Sequence, residues 1–176
     1  EYSLSVVRQN NSNASTVAPY STPKKAATIT KVDNFSEGLS FYNKGDYIQA
    51  KEWFEKSAVQ GNAQAQNALG AMYDKGEGVR QDKAEAASWY LKAASQGYSH
   101  AQSMMGYMYQ LGIGVNQDYT KARVWYEKAA AQGVAFAQNN LGSLYYNGQG
   151  VVQDYVKARE WYEKAAEQGH AEAQYK

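Results

Sequence analysis

The sequence predicts an all-α solenoid in which about eight helices stack as antiparallel pairs. Three observations lead there. First, one short stretch occurs four times: WFEKSAVQG at 53–61, WYLKAASQG at 89–97, WYEKAAAQG at 125–133 and WYEKAAEQG at 161–169. Its tryptophans, Trp53, Trp89, Trp125 and Trp161, are the only four in the chain and stand 36 residues apart. A fixed period of about 20–50 residues marks units that stack in one direction. Second, small and apolar residues recur at helical spacing within each period. Ala65 precedes Leu69, Ala101 precedes Met105 and Ala137 precedes Leu141, each pair on one helical face. Third, Pro19 and Pro23 are the only prolines and both precede the repeats. The turns between helices must therefore use glycine and Asp or Asn chemistry.

Composition narrows the function. The chain of 176 residues has 18 basic and 17 acidic residues, a net charge of +1. That balance argues against nucleic acid or an anionic membrane surface as partner. Without cysteine there is no disulfide framework and no thiolate metal site. No apolar run reaches the roughly 18–20 residues of a membrane span, so no membrane insertion is expected. The chain begins at Glu1, which suggests a mature product after removal of a leader or a piece of a longer protein.

Residues 1–32 are rich in Ser, Asn and Thr and show no helical period. They read as a flexible N-terminal segment, on the ground of low hydrophobicity. Val6, Val7, Ile29 and Val32 could anchor it as an extended peptide on its own or a neighbouring solenoid. The triplets Asn10–Ser12 and Asn13–Ser15 match the glycosylation acceptor pattern, which matters only in a eukaryotic secreted setting.

Residues 33–61 form the first helical hairpin, with a turn at Lys44-Gly45-Asp46, Asp46 as N-cap and Gly61 as left-handed C-cap. Three longer units follow, 62–97, 98–133 and 134–169. Each opens with A-Q-x-x-[LM]-G-x-[ML]-Y: Ala65 to Tyr73, Ala101 to Tyr109, Ala137 to Tyr145. A G-x-G-V loop comes next, at Gly76–Val79, Gly112–Val115 and Gly148–Val151, followed by Asp82, Asp118 or Asp154. Residues 170–176 begin a further unit that stays incomplete: Ala173-Gln174 repeats Ala137-Gln138. A terminal repeat needs a polar cap, and none is evident there, which predicts truncation or a frayed last turn.

The motifs of 62–169, three copies in register, resemble the Sel-one-like repeat (SLR) family, a relative of the tetratricopeptide repeat. The first hairpin, with Gly38, Phe41, Gly45, Ala50 and Phe54, is more tetratricopeptide-like. The resemblance implies a right-handed superhelix whose first helices line a concave face.

Most repeated residues have packing explanations. The small Ala65, Ala101, Ala137, Gly70, Gly106 and Gly142 let helices approach to about 8–10 Å, as do Ala86, Ala122 and Ala158 on the second helices. The tryptophans follow those second-helix alanines by three residues and should wedge between units, so truncating one to Ala should cost about 3–5 kcal/mol. Asp82, Asp118 and Asp154 should cap second helices. The stripe of Met72, Met104, Met105 and Met108 reads as core. The G-x-G-V loops are tight turns with the valine packed beneath; a dinucleotide fingerprint would need a preceding strand and a third glycine.

No catalytic or metal centre is legible. His100 and His170 are the only histidines, no serine sits in G-x-S-x-G, and the capping aspartates lie a whole repeat apart, too far for a carboxylate pair. No cofactor is expected.

Specificity should reside where units differ. On the first helices the differing sets are Gln64/His100/Phe136, Asn67/Ser103/Asn139, Ala71/Tyr107/Ser143, Asp74/Gln110/Tyr146 and Lys75/Leu111/Asn147. Four of the five sets share one helical face. With Phe35, Leu39 and Tyr42 from the first hairpin, the predicted partner-binding residues are Phe35, Leu39, Tyr42, Gln64, Asn67, Asp74, His100, Tyr107, Gln110, Phe136, Asn139 and Tyr146. The tyrosines and Phe136 would serve as anchors, and Asn67, Gln110 and Asn139 would offer amides to a peptide backbone. Basic residues are scarce there, which argues against a groove that clamps a carboxylate.

The resemblance implies a non-enzymatic module binding a protein or peptide, an adaptor or scaffold, in a bacterial and exported (periplasmic or secreted) setting. It also permits an immunity or inhibitor protein neutralising a secreted effector enzyme. Cysteine-rich relatives are linked to β-lactam binding or hydrolysis, but this chain lacks their cysteine pairs. Self-association through residues 1–32 or through the open C-terminal end, where Ala171 and Ala173 stand, is a further expectation.

Overall fold

A computed structural model describes residues 33–168. The expectations for residues 1–32 and for 170–176 lie outside the described residues. The described residues form eight helices and no strand: α1 (Asn34–Asn43), α2 (Tyr47–Ala58), α3 (Ala63–Lys75), α4 (Lys83–Ser95), α5 (Ser99–Leu111), α6 (Tyr119–Ala131), α7 (Ala135–Asn147) and α8 (Tyr155–Ala166). Each odd-numbered helix packs on the even-numbered one after it, and each even-numbered helix on the next odd-numbered one. The result is an α-solenoid.

Local chemistry sets the helix ends. Asp46, Asp82, Asp118 and Asp154 are N-caps whose carboxylates accept first-turn backbone N–H groups, as the sequence predicts. Tyr98 and Val134 precede α5 and α7 without a side-chain cap bond. At the ends of the second helices the N–H groups of Asn62, Tyr98 and Val134 reach back to Ser57, Ala93 and Ala129 carbonyls. That six-to-one bond closes over the left-handed Gly61, Gly97 and Gly133.

The core does not lie within the repeat as read from the sequence. Its main clusters join the second helix of one unit to the first helix of the next. Ala50, Phe54 and Ala58 of α2 meet Ala65, Leu69 and Met72 of α3. Tyr90 and the α4 alanines meet Ala101, Met105 and Met108 of α5, and Tyr126 with its alanines meets Ala137, Leu141 and Leu144 of α7. Each unit is thus completed by its neighbour, the quasi-one-dimensional order of a solenoid. Met104 alone of the methionine stripe is half-buried. At the front, α1 buries only Gly38. Aligned on that glycine, Glu37 and Ser40 occupy the places of Leu69 and Met72, so the first face is polar.

Trp89, Trp125 and Trp161 stand between one unit and the next, as their spacing suggests, but they do not form the core. They lie half-buried at cluster edges: Trp89 beside α2–α3, Trp125 beside α4–α5, Trp161 beside α6–α7. A lysine three residues on covers each ring, its ammonium 4.3, 3.7, 4.5 and 4.2 Å from the centroid in chain order. The buried aromatic is the next residue. Phe54, Tyr90, Tyr126 and Tyr162 are 0, 2, 0 and 4% exposed. Each stands four residues after Ala50, Ala86, Ala122 or Ala158, on the face that points inward.

That ring explains the first-helix glycine. A Cβ on Gly38, Gly70, Gly106 or Gly142 would come within 2.5, 2.8, 2.5 or 2.9 Å of the ring of Phe54, Tyr90, Tyr126 or Tyr162. The aromatic packs directly against bare backbone, and small size matters there more than helix–helix distance alone. The second glycine of each loop makes a contact between units. Gly78, Gly114 and Gly150 sit on the opening residue of the preceding second helix, Tyr47, Lys83 and Tyr119.

A glutamine relay also repeats. Gln66, Gln102 and Gln138 donate to the carbonyls of Ala58, Ala94 and Ala130. Their own side-chain oxygens accept from Gln96, Gln132 and Gln168 at 2.7–2.8 Å. These are the Q letters of the A-Q and Q-G motifs. They give a second donor to helix-end carbonyls that already accept the N–H groups of Gly61, Gly97 and Gly133.

Candidate partner-binding face

The first helices α1, α3, α5 and α7 touch sideways as well as through the second helices. Among the described helices α5 packs directly on α7, and no two second helices pack as closely. Side chains bridge the same seams. His100 of α5 bonds Asn67 of α3, Nδ1 to Oδ1, at 3.0 Å. Since the amide oxygen accepts, the ring presents Nδ1–H. Desolvation lowers the His100 pKa below its ordinary 6.5. Tyr107 of α5 meets Phe136 of α7 edge to face, with centroids 6.0 Å apart. Phe136 also lies 6.5 Å from the Tyr126 ring.

The other predicted residues are placed as follows. Phe35 is half-buried, its ring 5.7 Å from Phe54. Leu39 is 38% exposed. Tyr42 is half-buried and packs against the Tyr47 ring at 5.1 Å. Its hydroxyl donates to Glu77, and burial together with that carboxylate pushes the phenol up to about 12. Gln64 is exposed.

Asp74 is bound by Lys83, whose ammonium donates to its carboxylate at 2.9 Å and to its backbone carbonyl at 2.7 Å. Gln110 accepts the Tyr126 hydroxyl at 2.7 Å. Asn139 is buried, at 8% exposure. Tyr146 is 45% exposed and packs edge-on against Tyr155 at 5.2 Å. Beside it opens a shallow hollow lined by Tyr155, Val156, Arg159 and Tyr162.

Two groups emerge. Leu39, Gln64, Phe136 and Tyr146 present surface, with His100 and Tyr107 beside them. Asp74, Gln110 and Asn139 are committed to the fold by an ion pair, a hydrogen bond and burial. Lysine is similarly engaged: Lys83 with Asp74, and Lys75 with Glu77 at 3.7 Å. The surface that remains is nearly uncharged and rich in rings and amides.

Variation between units did not single out Tyr126 or Tyr155, because both occur at positions where aromatic residues recur. It also passed over Ala68 and Ala71 as contributors of space. With Leu39, Tyr42 and Phe54 these alanines line a small apolar hollow of about 180 Å³. The signal was present in the sequence: Met104 and Tyr107 stand at the same places one unit later. Among the described residues no three His, Cys, Asp or Glu side chains are grouped to hold a metal ion, and no helix is long and apolar enough to cross a membrane.

The Sel1 repeat model matches residues 35–62, 63–98, 99–134 and 135–170. Among solved structures, the chain is similar to c5321 of Escherichia coli, described as a protective antigen present in uropathogenic strains and displaying an SLR fold. The two share 42% identity with a TM-score of 0.77, over 81% of this chain and 31% of the other. A Sel1 repeat protein from Oxalobacter formigenes matches with 39% identity and a TM-score of 0.75, over 79% of this chain and 57% of that one. Cysteine-rich protein B of Helicobacter pylori is more distant, with 27% identity and a TM-score of 0.54, over 70% and 93% of the two chains. The chain thus spans about a third and somewhat over half of the first two proteins. No curated protein sequence matches significantly.

Proposed function

The chain belongs to the Sel1-repeat family, and on that premise we propose that it is a non-enzymatic adaptor whose first-helix face holds a segment of another protein. Sel1 repeats are generally protein-interaction modules. The observation that carries the reading is the uncharged row of rings on that face: Tyr107 against Phe136, followed by the exposed Tyr146. Rings of this kind supply contact area at low entropic cost and are enriched at interfaces. Leu39, Gln64, Tyr107, Phe136 and Tyr146 are the contact residues in this reading, with the Asn67–His100 pair between them. The relatives are bacterial, and we read the chain as exported.

A Tyr107→Ala, Tyr146→Ala double variant tests the face. Bound partners recovered from the native cell should fall at least about tenfold, the loss of about 1.4 kcal/mol or more expected for aromatic anchors. Circular dichroism should remain helical. Unchanged capture by a folded double variant removes the assignment. Fractionation of the native cell tests export.

A further inference from the structure

The hollow between α1 and α3 is one member of a repeated series, and another member is filled. Aligned by repeat, Tyr107 and Tyr126 are the counterparts of Leu39 and Phe54. In the last seam the slot over Tyr107 and Tyr126 holds the ring of Phe136, with centroids 6.0 and 6.5 Å away. The counterpart of Phe136 in the first seam is Gln64, which is exposed and is not among the residues lining the hollow. The floor there is Phe54, fully buried. Leu39 and Tyr42 form one wall, and Ala68 and Ala71 leave room where the next unit has Met104 and Tyr107. The Tyr42 hydroxyl is tied to Glu77 across the unit boundary, which fixes that wall.

From this we infer that the hollow between α1 and α3 receives one large apolar side chain, phenylalanine or leucine, from the partner segment. The occupant's chemistry is read from Phe136, which shows what fits this slot in the same fold. Size agrees. About 180 Å³ is too small for the roughly 300–1,000 Å³ of a small-molecule site and suits a single side chain. Charge agrees too. The lining carries no charge, and Glu77, which holds Tyr42, and Asp74, one helical turn after Ala71, are engaged by Lys75 and Lys83, so a charged side chain would lose its hydration without a free counter-ion. The inference rests on the first-helix face being the binding face and adds a specificity pocket to it.

The test uses the full chain with isotope-labelled alanine methyl groups and N-acetyl-L-phenylalaninamide as probe, with N-acetylglycinamide as control. The Ala68 and Ala71 methyl resonances should shift saturably with the first probe, at about millimolar affinity, and not with the second. Gln64→Phe places a ring where Phe136 has one and should weaken probe binding about tenfold or more. Ala68→Met, which borrows the residue of the next unit, is a second occluding variant should the first alter the helical spectrum. Absence of saturable shifts at these methyls, or shifts unchanged in both occluding variants, overturns the pocket. The Tyr107→Ala, Tyr146→Ala variant should keep the probe shifts, because neither residue lines the hollow. A failure of the aromatic row and a failure of the pocket are therefore read separately.

Discussion

Gly114→Ala probes the contact that stacks the third repeat on the second. Gly114 has φ +67°, and an added Cβ would lie 2.0 Å from the Lys83 carbonyl oxygen, 2.4 Å from its carbon and 2.9 Å from the Ala84 nitrogen. All three atoms are backbone at the start of α4, so no rotamer change relieves them. Two costs add. The left-handed conformation costs an alanine about 1–2 kcal/mol, and the overpacking about 1–3 kcal/mol, for a total of roughly 2–5 kcal/mol. The protein supplies its own controls. Gly97 has φ +91° with nothing within 4 Å, and Gly112 has φ +70° with its nearest neighbour, the Gln117 Cβ, at 3.3 Å. Gly97→Ala should show the conformational cost alone, and Gly112→Ala slightly more. The assay is urea unfolding followed by helical circular dichroism. With a slope of about 1–3 kcal/mol per M, Gly114→Ala should unfold roughly 1 M below Gly97→Ala. Coincident midpoints for the two variants would refute the claim that the loop glycine exists for contact between units.

Three further outcomes are expected. Tyr126→Ala should destabilise by about 3–5 kcal/mol, while Trp125→Ala, half-buried at its cluster edge, should cost about half as much; thermal unfolding of the pair checks the order. Gln102→Ala removes one of two donors to the Ala94 carbonyl, which keeps the Gly97 N–H, and the acceptor of the Gln132 amide, and should cost about 0.5–1.5 kcal/mol by the same urea assay. The Lys121 backbone N–H, donating to it, holds the Asp118 carboxyl below its ordinary 3.8. A carboxyl lowered on folding stabilises above its unfolded pKa and loses that contribution as pH falls through its folded value. An acid titration of stability should therefore show a smaller decline below pH 3.8 in Asp118→Asn than in the parent.

The periodic residues made the helices legible. Asp46, Asp82, Asp118 and Asp154 announced four helix starts, and Gly61, Gly97 and Gly133 announced the turns, because caps and left-handed turns depend on neighbours within a few residues of chain. The candidate face was legible in outline. Variation among units pointed to Tyr107, Phe136 and Tyr146, which present rings on the first-helix face. It could not tell that Asp74, Gln110 and Asn139 are engaged inside the fold, since Lys83, Tyr126 and burial act through contacts beyond the local pattern. Nor did it attach weight to Ala68 and Ala71, since a hollow is made by what is missing.

The repeated WY pair separates the two kinds of knowledge most clearly. The sequence alone determined the period, the number of helices and the solenoid, because stacking units need the same residues at the same places. Only tertiary structure decided which aromatic of the pair is buried. The two are one residue apart, about 100° around a helix, and which of them points inward depends on the glycine backbone of the facing helix. Tyr126 lies on Gly106, while Trp125 lies at a cluster edge under Lys128. The same partition holds for the candidate face: the chain's pattern picked out the positions that vary, and packing decided which of their side chains stay exposed.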